Sequence, residues 1–188
     1  MASAWRSSLL AAAAVAILLS AGIASIPATA GLLMSQQEAL AWAFPEADRV
    51  DTQAFVLTDD QVQRVEERSR TKLETKLVQM FTAVQGDRVV GYAFIDQHIV
   101  RTLPEAFLVV LAADGSVQRL RVLAFYEPPE YMPPQRWLHQ FEGKGAEAPL
   151  RLQRDVHGIA GSTLSSQAVT GGVRRALALH EILVRQGG

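Results

Sequence analysis

The chain contains no cysteine. That absence excludes disulfides, thiolate metal sites, iron–sulfur ligation and haem attachment through a Cys-x-x-Cys-His motif. If the chain has a redox role, its redox centre must then be an organic cofactor. A long run of one charge sign is also missing. Net charge is −1 and charged residues make up 20% of the chain, so the basic patch or stripe of a nucleic-acid binder is absent and no nucleic-acid partner is expected. The four histidines, His98, His139, His157 and His180, are scattered without metal-ligand spacing. They read as surface or capping residues, and no metal site is expected. Paired carboxylates and a nucleophile-and-base motif are lacking too, so no catalytic residue is assigned.

Arg6 precedes an uncharged stretch over residues 7–26, rich in Ala, Leu and Ile. Its length is close to the roughly 20 residues that span a bilayer. Pro27 ends the stretch, and Ala28-Thr29-Ala30 supplies an A-x-A cleavage pattern before Gly31. Two readings stay open, a membrane anchor helix and a removable signal peptide. In both, residues 1–30 are the targeting segment and residues 31–188 form one domain, exported and either periplasmic or anchored to the outer side of the cytoplasmic membrane. With 49% hydrophobic residues overall, a domain of that length can bury a substantial core.

The element order predicts an α+β fold, an antiparallel meander sheet flanked by helices. Ser35-Gln36-Gln37-Glu38 and Thr58-Asp59-Asp60-Gln61 are capping boxes. The first opens a short helix stopped at Phe44-Pro45, the second a charged helix to about Arg70. Residues 50–57, 76–84, 88–100, 105–113 and 117–125 read as strands, separated in part by the turn dipeptides Gly86-Asp87 and Asp114-Gly115. Residues 126–134 hold four prolines and two tyrosines, a stiff loop. A helix over residues 135–142 follows, with Trp137, Leu138 and Phe141 on one side, and a last helix spans residues 164–186. Gly171-Gly172 inside that helix calls for close packing or room for a ligand, since glycine there costs about 1 kcal/mol against alanine.

The most specific pattern is Gly158-Ile159-Ala160-Gly161-Ser162-Thr163-Leu164-Ser165-Ser166-Gln167, with two glycines and four hydroxyls just ahead of the last helix. A helix N-terminus presents unpaired N–H groups and roughly half a positive charge, and glycines let an anion approach the backbone. The pattern therefore reads as a phosphate site, with an ordinary capped loop as the alternative. Arg174 and Arg175 lie roughly 14 Å further along at 1.5 Å per residue, too far to hold a phosphate at the same helix start.

The run from Ala160 to Ser165 resembles the Ser-Gly-Ala-Thr-x-Thr signature of the FMN-binding domain family, found in the flavin-carrying subunits of the sodium-pumping NADH:quinone reductase and of the Rnf electron-transport complex. Gly161 and Thr163 coincide with it. Ala160 stands for the leading serine, Ser162 for the alanine, and Ser165 for the last threonine, whose hydroxyl carries FMN as a phosphoester in those relatives. Ser165 offers the same nucleophilic hydroxyl and reads as an exposed residue at the helix start. His157 stands where an acidic residue often sits in the family, with Asp155 two residues earlier.

The resemblance implies an electron-carrying flavoprotein with FMN as cofactor and contacts from Ala160, Gly161, Ser162, Thr163, Leu164, Ser165 and Ser166. Tyr131 in the proline-rich loop is the candidate wall for the flavin ring, although the Pro-Gly-Leu-Gly element common in the relatives' loop is absent. The implied partners are a membrane redox complex or redox protein, and a flavin transferase where attachment is covalent. The competing class is a non-redox exported binding or structural module without flavin.

Overall fold

In the computed structural model, residues 31–100 and 103–185 are described; the expected targeting segment over residues 1–30 lies outside them. Ser35 caps the first helix, α1 (Gln36–Ala43), with its side chain accepting from Glu38 N while the Glu38 side chain accepts from the Ser35 backbone. Thr58 and Gln61 repeat the arrangement at α2 (Asp59–Ser69), which ends on Arg70 in the left-handed conformation. Both capping boxes stand where the sequence places them.

Five strands, β1 (Arg49–Val56), β2 (Leu77–Gln85), β3 (Arg88–Val100), β4 (Leu103–Ala112) and β5 (Val117–Phe125), form one antiparallel sheet in the order β1-β2-β3-β4-β5. Strand β4 is buried on both faces. Successive side chains alternate sides, so Phe107, Val109 and Leu111 enter one core and Leu108 and Val110 the other. On one side α1 supplies Ala39 and Ala43 against Phe81, Ala83 and Ala93. On the other, the long helix α4 (Thr163–His180) lays Val169, Val173, Ala176 and Leu177 over Met80, Phe94 and Phe107. Burying each large apolar side chain contributes about 1.5–3 kcal/mol, so α4 is fixed by its apolar stripe despite its two glycines.

Those glycines are explained by packing. A Cβ at Gly172 would lie 2.6 Å from Asp96 Oδ2 on β3, and one at Gly171 would lie 3.1 Å from Thr71 Cγ2. The helix expected over residues 135–142 is only one turn, α3 (Gln135–Leu138), tightened into a 3-10 turn over His139–Phe141. Trp137 and Phe141 meet edge to face at 5.3 Å inside the core. The last helix passes into a π turn over Glu181–Arg185.

Two histidines correct the surface reading. His180 is 3% exposed, packed edge-on to Tyr92 at 4.8 Å, and Gly115, at φ +87, gives it room. His98 keeps only 11% of its side chain exposed. The two-residue strand period puts Asp96 and His98 on one face of β3, and the strand register sets His98 directly opposite Glu105 on β4.

Candidate functional site

The site is built on the first turn of α4. Ser162 is its N-cap, yet no side chain caps the helix. Helix geometry leaves the first N–H groups without intrahelical partners, and Ser166 N makes a bond back to Ser162 O at 3.0 Å. Gly161 just before it has φ +80, a conformation that disfavours a side chain. Nothing lies within 4 Å of the position a Cβ would take there, so the open backbone faces free space.

The loop is held from behind. Ser166 Oγ donates to Ser162 O at 2.9 Å and accepts from Ile159 N at 3.1 Å. Trp137 Nε1 donates to His157 O at 2.6 Å, and His157 N donates to Gln140 Oε1 at 2.7 Å. The core tryptophan thus fixes the chain leading into the Gly/Ser/Thr segment.

A cavity of about 150 Å³ opens beside this turn, lined by Val100, Glu127, Tyr131, Gly161, Ser162, Thr163, Leu164 and Ser165. Six of the eight residues expected to bind a cofactor therefore come together. Ala160 is exposed and outside the lining, and the Ser166 hydroxyl is turned inward to support the loop. Two buried oxygens in the lining, Ser162 Oγ and Glu127 Oε1, have no hydrogen-bond partner among the described residues. Buried polar atoms are normally paired, so these two oxygens are available to a ligand. The hydroxyl and the helix N–H groups suit a phosphate, while the carboxylate suits a hydroxyl or N–H donor.

Ser165 departs from the exposed helix start expected of it. It is 2% exposed, and its Oγ donates to Glu105 Oε1 at 3.4 Å. Behind it runs a chain of charges. Glu105 Oε2 lies 3.5 Å from His98 Nε2, His98 Nδ1 lies 3.0 Å from Asp96 Oδ2, and Arg175 clasps Asp96. Burial alone would lower the His98 pKa, but Asp96 and Glu105 outweigh it and push it up to about 9. Burial raises Asp96 in turn, and hydrogen bonds from His98 and Arg175 reverse that and hold it below the usual carboxylate range. On the side away from Ser165, Asp96, His98 and Arg175 line a larger cavity of about 390 Å³ between β2, β3 and α4.

Residues 104–178 match the FMN-binding domain family. Over that segment the chain is similar to an FMN-binding domain. FMN is accordingly its cofactor. The matched segment contains Glu105, Glu127, Tyr131 and the whole signature turn. No curated protein matches the chain.

Sequence reading missed Glu105, Glu127 and Val100. Glu105 carries a signal that would have found it, because it stands two residues before Phe107 and the strand period puts both on one face. Glu127 lies in the same proline-rich loop as Tyr131, and Val100 gives no signal of its own.

Proposed function

We propose that this protein is an exported FMN flavoprotein that carries electrons at the outer side of the cytoplasmic membrane. Its FMN phosphate is held at the first turn of α4 and esterified to Ser165 Oγ. The observation that carries the reading is the pair of orphaned buried oxygens, Ser162 Oγ and Glu127 Oε1, in a cavity at an uncapped helix start inside the family-matched segment. The Ser162 and Thr163 hydroxyls and the first-turn N–H groups bind phosphate oxygens, and Glu127 accepts from a donor on the ribityl chain or flavin. A cavity of about 150 Å³ has room for a phosphate but not for three fused rings. The ring therefore lies against the surface, with Tyr131 covering one face and an edge left open to a redox partner.

The flavin takes up two electrons and releases them singly, and the protein supplies its position and environment. The apolar stretch ahead of Gly31 and its A-x-A pattern support export. A membrane redox complex or redox protein exchanges the electrons, and a flavin transferase loads the cofactor.

Intact mass and visible spectra of the protein from membrane and periplasmic fractions test the proposal, beside Ser165→Ala. Wild type should be yellow and heavier by one FMN moiety, and Ser165→Ala should lose that adduct. A colourless, folded wild type would instead support a non-redox module. Because Ser165 is buried, the alanine also leaves Glu105 Oε1 without its donor, at about 1–3 kcal/mol.

A further inference from the structure

We propose that Glu105 is the base for the acceptor hydroxyl: as the phosphoester forms, Ser165 Oγ passes its proton to Glu105, which Asp96, His98 and Arg175 hold in place. The inference rests on the reading of Ser165 as the FMN acceptor. A serine hydroxyl is a weak nucleophile until an adjacent base takes its proton, and such a base is in turn oriented by a third group. Ser165 meets both conditions. Its Oγ donates to Glu105 Oε1, and His98 and then Asp96 and Arg175 stand behind that carboxylate.

The other hydroxyls of the turn are placed differently. Ser166 donates to Ser162 O, Ser162 Oγ has no partner among the described residues, and Thr163 is exposed. The 3.4 Å separation is long, as catalytic contacts are before substrate arrives.

The Glu105 side chain has no solvent exposure. A carboxylate removed from water needs compensation, yet its Oε2 has no hydrogen-bond partner among the described residues. It is balanced by charge instead. Asp96 and Glu105 carry two negative charges, and protonated His98 and Arg175 two positive ones. When Glu105 takes the serine proton the cluster gains one net positive charge, beside a newly formed phosphodiester that carries one negative charge.

The step balances with a flavin dinucleotide as donor. A bond forms between Ser165 Oγ and the FMN phosphorus, and the pyrophosphate P–O bond breaks. Adenosine monophosphate leaves with the electron pair, the proton goes to Glu105, and nothing is oxidised. Glu105 is thus a catalytic residue of loading, and Asp96, His98 and Arg175 are positioning residues.

Purified transferase and flavin dinucleotide, with adduct formation followed by intact mass, test this in the full chain. Glu105→Gln should slow loading by about 100-fold or more, the scale of a general base, and Glu105→Asp should load faster than Glu105→Gln. Reversible FMN binding, read by flavin fluorescence without transferase, should move far less than the rate. The His98 pKa, read by NMR, should fall in Glu105→Gln. Loading of Glu105→Gln at the wild-type rate would overturn the proposal, as would equal losses of rate and reversible binding. Should Glu105→Gln fail to fold, Glu105→Asp decides by its pH–rate profile, which shifts if the carboxylate is the base and stays put if it is not. An adduct that persists in Ser165→Ala, or a wild type that takes none, overturns the acceptor reading and this inference with it. A Ser165 adduct that forms normally in Glu105→Gln overturns this inference alone.

Discussion

Arg175 grips Asp96 through two hydrogen bonds, Nε to Oδ1 at 2.8 Å and Nη2 to Oδ2 at 2.7 Å. The fork matches the carboxylate geometry, and the two side chains keep only 15% and 12% exposure. Gly172, about one turn earlier on α4, lets the helix approach close enough for this clasp. Removing either partner would leave a mostly buried charge unpaired, a loss on the order of 3–5 kcal/mol for a fully buried pair.

Gly172→Ala and Gly171→Ala should therefore differ. At Gly172 the new Cβ meets a clasped carboxylate at 2.6 Å, an overpacking cost of about 1–3 kcal/mol. At Gly171 the neighbour is a Thr71 methyl at 3.1 Å, and the gain of about 1 kcal/mol in helix propensity offsets the squeeze. Urea melts should rank Gly172→Ala well below Gly171→Ala. The reverse order would remove the packing account of the pair.

His98 should make stability fall on the alkaline side. Its pKa rises from 6.5 to about 9 on folding, so its contribution is complete below pH 6.5 and fades as pH rises towards about 9. Burial lowers the His180 pKa, so His180 acts in the opposite sense and costs stability as pH falls through its unfolded value. Denaturant melts across pH should show an alkaline decline in wild type that is absent from His98→Asn. An identical decline in both proteins would assign it elsewhere.

Gly161 should matter through its backbone. With φ +80 and no atom within 4 Å, Gly161→Ala should cost about 1–2 kcal/mol from the left-handed conformation without any clash. Gly161→Val should in addition cut flavin loading sharply, because the side chain would stand where the phosphate approaches. Normal loading of the valine variant would make Gly161 a turn residue only.

Tyr131→Ala should alter flavin fluorescence or potential more than it alters loading. Tyr131 and the signature turn line the same cavity from different elements, and the proposed phosphate anchor is the turn alone. Unchanged spectra, fluorescence and potential would exclude Tyr131 as a wall of the ring site.

Much of the fold was legible because the deciding interactions are local. The Ser35–Glu38 and Thr58–Gln61 boxes, the glycines at Gly86 and Gly115, and the two-residue alternation of the strands each act over a few residues. The helix over residues 135–142 is shorter than its pattern suggests because apolar spacing there fits both an α-helix and a tighter turn, and the packing of Trp137 and Phe141 selects the tighter turn. His98 and His180 looked like surface residues because nothing beside them in the chain buries them.

The sequence by itself determined the Gly/Ser/Thr turn at the start of α4 and the absence of any thiol-bound redox centre, since these follow from residue types and short spacings. Only the tertiary structure decided which hydroxyl faces a carboxylate. Ser165 and Glu105 are 60 residues apart and Arg175 and Asp96 are 79 apart. No local propensity links them. They meet because β3 and β4 pair in one register, setting His98 against Glu105, and because the apolar stripe of α4 can be buried only by crossing that face of the sheet.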